Sequence, residues 1–91
     1  MYRIFYTNRM KHDVKIMQKR GKDLNKLIQV LDILSKGIDV PVKLKDHQLT
    51  GNFNGFRECH IEPNWILLYQ IHDKELILVA SATGTHSDLF Q

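Results

Sequence analysis

Three histidines, His47, His60 and His86, stand far apart in the chain, each beside residues suited to handling a phosphodiester. His47 closes the stretch KLKDH with Lys43 and Lys45 just ahead of it; His60 lies in RECHIEPNW between Arg57 and the pair Asn64 and Trp65; His86 lies in TGTHSDLF, shortly before Phe90. An imidazole has an ordinary pKa of about 6.5, so two of them can divide the work of general base and general acid at neutral pH. RNA cleavage needs that division: one group takes the proton of the ribose 2′-hydroxyl while another protonates the departing 5′-oxygen. Flat aromatics such as Trp65 and Phe90 can hold bases by stacking, a contact of about 1–3 kcal/mol each. Lys43, Lys45 and Arg57 can hold backbone phosphate, and Asn64 can hydrogen-bond to substrate.

Each residue also has a plainer use. Scattered histidines are mostly hydrogen-bonded surface groups, and a tryptophan at a strand start is more often core than platform. Glu58 and Glu62 alternate with His60 and are expected on its face of a strand, where either carboxylate can orient the ring; salt bridges to Arg57 or a lysine are the other use. No HxxxH or Cys/His spacing marks a metal site, and the adjacent Cys59 and His60 point to opposite faces of a strand, so neither zinc nor another cofactor is expected. His12 and His72 look peripheral.

The elements that must position these residues follow from the apolar pattern. Residues 2–6 (YRIFY) suit a strand. Thr7 or Asn8 can cap a helix carrying Met10, Val14 and Met17, which Gly21 ends; Asp23 caps a second, with Leu24, Leu27, Ile28, Leu31 and Leu34 at helical spacing and Gly37 as its stop. From Ile38 to Gly55, Pro41, Gly51, Asn52 and Asn54 predict a polar loop. Strands are predicted at Phe56–Glu62, Trp65–His72 and Glu75–Ala82, with tight turns at Pro63-Asn64 and Asp73-Lys74 that force antiparallel pairing. Trp65, Leu67, Tyr69 and Ile71 face one side of the middle strand and Ile66, Leu68, Gln70 and His72 the other, so it is central, with one face against the helical pair. The prediction is an α+β fold of two layers in one domain spanning residues 1–91: a strand, a helical hairpin, then a sheet.

Composition narrows the class. With 43% hydrophobic and 25% charged residues and a net charge of +3, the 91-residue chain reads as a small folded protein with a mild preference for polyanions. Most of the first cluster of cations (Lys11, Lys15, Lys19, Arg20, Lys22, Lys26) suits solvated helix faces. No apolar run is long enough to span a bilayer, no signal peptide opens the chain, and a single cysteine agrees with a reducing compartment, so the expected location is the cytoplasm without membrane contact.

The segments KDHQLTGNFNGFRECHIEPNWILLYQI and TGTHSDLF, together with KDLNKLIQVLDIL, resemble the YafQ branch of the RelE-type toxins of bacterial toxin–antitoxin systems. The resemblance covers essentially the whole chain. It implies an N-terminal strand, a helical hairpin and a twisted antiparallel sheet with a short C-terminal turn or helix. It also implies an endoribonuclease that cuts mRNA on the translating ribosome, neutralised by a DinJ-like antitoxin through which the pair reaches operator DNA. Carried over by position, His47, His60, Trp65, His86 and Phe90 match the family's site. His60 and His86 are then expected to be the proton-transfer pair, with His47 assisting at the phosphate.

Two positions depart from the family pattern. Ala82 stands before TGTH where an arginine is usual, and Asn64 where an aspartate is frequent. A missing preorganised cation costs about 2–4 kcal/mol in a charged transition state. A deliberately disarmed variant, a lineage relying on Lys43, Lys45 or Arg57, and a weakly active toxin all fit the substitution. Two readings of a different class stay open: a ParE-like gyrase inhibitor, and a degenerate toxin kept as antitoxin and operator co-repressor.

Overall fold

A computed structural model describes residues 1–37 and 39–90; Ile38, where the predicted loop begins, and Gln91, at the end of the predicted domain, lie outside the described residues. β1 (Arg3–Tyr6) runs through Thr7 into α1 (Asn8–Lys19). Thr7, not Asn8, is the cap: its Oγ1 accepts from the Met10 N–H at 3.0 Å. Gly21, at φ +83°, ends the helix in the left-handed region. Asp23 then caps α2 (Leu24–Ser35) by accepting from the Asn25 N–H at 3.0 Å. The buried stripe of α2 is Leu27, Val30, Leu31 and Leu34; Ile28, expected in it, is exposed, because the stripe is centred between Leu27 and Leu31 and Ile28 lies beyond its edge.

The predicted loop is more ordered than its composition suggests. It contains 3₁₀ turns at Val42–Leu44 and Gly51–Phe53, and between them a two-residue strand, β2 (His47–Gln48). β3 (Arg57–Glu62) and β4 (Trp65–His72) lie within one residue of expectation. β5 is Ile77–Gly84, two residues later than predicted at each end: Asp73–Leu76 make a wider turn with Leu76 at φ +54°, and His72 pairs with Ile77.

Among the described residues five strands form one sheet, ordered β1-β5-β4-β3-β2. Every pair is antiparallel except β1 with β5. No tight turn links those two, so parallel pairing is open to them. The helical hairpin covers one sheet face, where Met10, Met17, Leu27, Leu31 and Leu34 pack with Trp65, Leu67, Tyr69 and Leu78.

The other face is covered too, which the two-layer expectation did not include. α3 (His86–Phe90) folds back so that Leu89 buries against Ile66, Leu68 and Ala82, with Leu49, Phe53 and Phe90 around them. Burying such a leucine contributes about 1.5–3 kcal/mol. Among the described residues no helix is long and apolar enough to cross a membrane.

Candidate active site

Strand register assembles the site. His47 on β2 pairs with Glu58 on β3, Glu58 with Leu68 on β4, and Leu68 with Ala82 on β5. His60 stands in the next row on the same side, opposite Ile66, which is opposite Gly84. Residues opposed across strands share a face. His47, Glu58, His60 and Ala82 are therefore all on the side away from the helical hairpin, and α3 brings His86 to the same place.

The centre of the cluster is the carboxylate of Glu58, a residue only 4% exposed. Its Oε2 is 3.0 Å from His47 Nε2 and 3.6 Å from His60 Nε2, and its Oε1 is 3.4 Å from His86 Nε2. Sequence reasoning named Glu58 only as one of two possible partners for His60.

In two of the rings the other nitrogen is anchored by a backbone carbonyl. His47 Nδ1 is 2.7 Å from the Lys45 carbonyl and His60 Nδ1 is 3.3 Å from the Pro63 carbonyl. A carbonyl can only accept, so both Nδ1 atoms donate, and His60 turns its Nε2 toward the cluster. Lys45 sits at φ +50°, and this left-handed kink aims its carbonyl back at His47. The His60 and His86 ring centroids are 5.7 Å apart, and Phe90 lies 5.5 Å from His86 at an interplanar angle of 34°. Phe90 is half-buried beside the rings.

Lys43 and Lys45 are exposed on the rim of a groove of about 520 Å³ that reaches His60 between α2 and the chain leading into β2. Its floor is aliphatic, with Val30, Ile33, Leu44 and Ile61. Asn64 is exposed in the β3–β4 turn.

Three expected positions are corrected. Trp65 is 0% exposed on the hairpin face, and its indole N–H donates to Thr83 Oγ1 at 2.9 Å, so it offers no ring to a base. Arg57 also belongs to that face: it pairs with Tyr69 across β3–β4, donates to Asp46 at 2.8 Å and is 3.4 Å from the Tyr69 hydroxyl, away from the histidines. Glu62 does not share the face of Glu58. The β3–β4 register shifts between His60 and Glu62, which places Glu62 opposite Trp65 and within 2.9 Å of Lys22 and 2.8 Å of Lys26. One residue of bulge reverses the alternation.

Ionisation on the hairpin side follows those contacts. Hydrogen bonds from Lys26 and then Lys22 hold the Glu62 carboxyl below the usual range. Burial first, then the hydrogen bond to Asp46, pushes the Tyr69 phenol up. Burial pushes the Cys59 thiol up to about 12, with the charges of Asp46 and Glu58 adding to it. Cys59 is therefore no nucleophile.

One oxygen of Glu58 and one nitrogen each of His60 and His86 lie within 4.8 Å of one another, close enough for a divalent ion to draw them together as ligands. The sequence held no sign of such a set because its members come from β3 and α3. The arrangement also suits proton transfer, with two imidazoles around a buried anion at the edge of a basic groove.

A mixed sheet backed by a helical hairpin is the fold of small bacterial toxins of known structure. The Escherichia coli YafQ in its complex with DinJ shares it, with a TM-score of 0.89 at 39% identity and 100% of both chains covered. So does a metal-bound toxin from Helicobacter pylori, with a TM-score of 0.93 at 39% identity over 99% of this chain and 100% of that one. The mRNA interferase toxin YafQ of E. coli K12 is 43% identical over 88 residues, which is 96% of this chain and 94% of the relative. Residues 2–91 match the model of the bacterial toxin of type II toxin–antitoxin systems, YafQ, and the chain belongs to that family.

Proposed function

We propose that the chain is an mRNA endonuclease whose proton transfers are made by His60 and His86. Supporting this, one buried carboxylate, Glu58, stands within 3.6 Å of imidazoles from β2, β3 and α3, so groups distant in sequence meet on one open face. One imidazole removes the 2′-hydroxyl proton, the 2′-oxygen bonds to phosphorus, and the 5′-oxygen leaves with a proton from the other. The product is a cyclic phosphate, which water can open to a 3′-phosphate. Glu58 holds the rings and balances the positive charge that moves between them. His47 assists at the phosphate, Lys43 and Lys45 hold the backbone, Asn64 contacts the substrate near the turn, and Phe90 packs on a base.

The catalysis is metal-free in this reading, because an ion on Glu58, His60 and His86 would occupy the lone pairs that proton transfer uses; activity is expected to persist in chelator. The translating ribosome orients the substrate and so supplies much of the rate, which puts the protein in the cytoplasm. Its partner is a DinJ-like antitoxin, as in the E. coli complex, and operator DNA is reached through that partner.

Ala82 supports a second reading. It sits in the apolar cluster with Ile66, Leu68 and Leu89, on the site's face but without charge, which suits a weakened toxin retained for antitoxin and operator binding. Purified protein is added to translating ribosomes and mRNA ends are mapped, with His86→Ala as control. Cleavage lost in that control and raised by Ala82→Arg supports the nuclease. Cleavage that persists in the control removes His86 from the mechanism, and none from any variant favours the binding role.

A further inference from the structure

α3 carries His86 at its first position yet has only five residues. An isolated helix needs roughly 12–15 residues to persist, so tertiary contacts must hold this one. Leu89 anchors it to the open face of the sheet. Asp88 anchors it elsewhere.

The Asp88 N–H donates to Thr85 Oγ1 at 3.1 Å, and its Oδ2 accepts from the Thr85 N–H at 2.9 Å, a reciprocal cap. The same carboxylate takes both ends of the Arg20 guanidinium, Nη1 to Oδ2 at 2.7 Å and Nη2 to Oδ1 at 3.2 Å. Arg9 Nη2 donates to the Asp88 carbonyl at 3.4 Å while its Nε reaches Asp13 at 3.3 Å. Asp13, buried in α1, accepts from the Thr83 N–H at 3.2 Å. Gly84 keeps the approach open, since a Cβ there would come within 2.9 Å of Asp88.

α1 packs on the opposite face of the sheet from the histidines. The end of β5 and the start of α3 are nevertheless tied to it by charged groups. A two-point guanidinium–carboxylate contact fixes orientation as well as distance.

We infer that Arg20 and Asp88 are a positioning pair, which locks α3 to the C-terminal cap of α1 and thereby sets where the His86 ring meets Glu58 and His60. Neither touches the reacting atoms. Without the pair, the short helix is held by the apolar packing of Leu89 and Phe90 and one long Arg9 contact, none of which fixes its rotation, and it can turn and carry His86 off the carboxylate. The inference rests on the role assigned to His86, but the placement of the ring can be read without any activity.

The test uses Arg20→Ala, Asp88→Asn, the double variant and Arg20→Lys, each with two readouts. The first is the proton–proton contact between the His60 ring on β3 and the His86 ring on α3 by NMR, whose centroids are 5.7 Å apart. The second is kcat and KM for mRNA cleavage on ribosomes, at a temperature where thermal melts show every variant folded. Both single variants should lose the ring contact, and kcat should fall on the order of tenfold to a hundredfold with KM unchanged. The double variant should be no worse than either single one, and Arg20→Lys, which keeps the charge but not the fork, should recover part of the loss. An unchanged ring contact, losses that multiply in the double variant, or a rise in KM alone would each overturn the positioning role. If the ring contact is lost while even the parent protein cuts nothing, the pair stands and the nuclease reading fails.

Discussion

Glu58→Gln tests the centre of the site directly. Glutamine keeps the size and one acceptor of Glu58 but replaces the anion with a neutral amide whose NH₂ must now meet an imidazole. The structure puts three ring nitrogens at 3.0, 3.4 and 3.6 Å from the carboxylate, of which the first is the closest charge contact. A hydrogen bond to a charged group contributes about 1.5–3 kcal/mol. At about 1.4 kcal/mol per factor of ten, losing one such contact together with the charge balance lowers kcat by on the order of a hundredfold. Side-chain burial keeps water from replacing the anion, so salt should change the effect little. The assay is single-turnover cleavage of mRNA in programmed ribosomes, with Glu62→Gln as the comparison. Glu62 is a strand neighbour bound to Lys22 and Lys26 on the other side of the sheet, and its variant should cut at the parent rate. A folded Glu58→Gln protein that cuts as fast as the parent, or an equal loss in Glu62→Gln, would refute the reasoning.

Trp65→Phe removes the donor to Thr83 and leaves a smaller ring in a buried site, so chemical denaturation should show a loss of at least about 1–3 kcal/mol with KM for mRNA unchanged; a raised KM would return Trp65 to the substrate site. Cys59, held up to about 12 by burial, should resist alkylation at pH 8 until denaturant is added, as followed by mass spectrometry. Asp88 is held below the usual carboxylate range by Arg20 first and then the Thr85 N–H, and Glu62 by Lys26 and Lys22. A depressed carboxyl stabilises the fold above its unfolded pKa and loses that contribution as pH falls through the folded value. Thermal melts should therefore hold steady above about pH 5 and drop below about pH 4, less steeply in Asp88→Asn, and an equal drop in that variant would exclude the pair as a cause.

Local chemistry made much of the chain legible. Thr7, Gly21 and Asp23 act on their immediate neighbours, and helix spacing and strand alternation repeat over several residues, so both helices and the central strand follow from sequence order alone. The histidines, Lys43, Lys45 and Phe90 could be named as candidates because their side-chain chemistry is intrinsic. Short or shifted elements were another matter. A two-residue β2 has no period to detect, and the bulge at the end of β3 turned Glu62 to the other face because one inserted residue outweighs any alternation rule. Trp65 and Arg57 were misplaced for a related reason, since residue type does not say which sheet face a ring or guanidinium will occupy. Only tertiary pairing of β2 with β3, and the return of α3 across β4 and β5, makes Glu58 a shared neighbour of three imidazoles. That meeting depends on contacts between segments dozens of residues apart, for which nothing in the linear spacing of the chain is a measure.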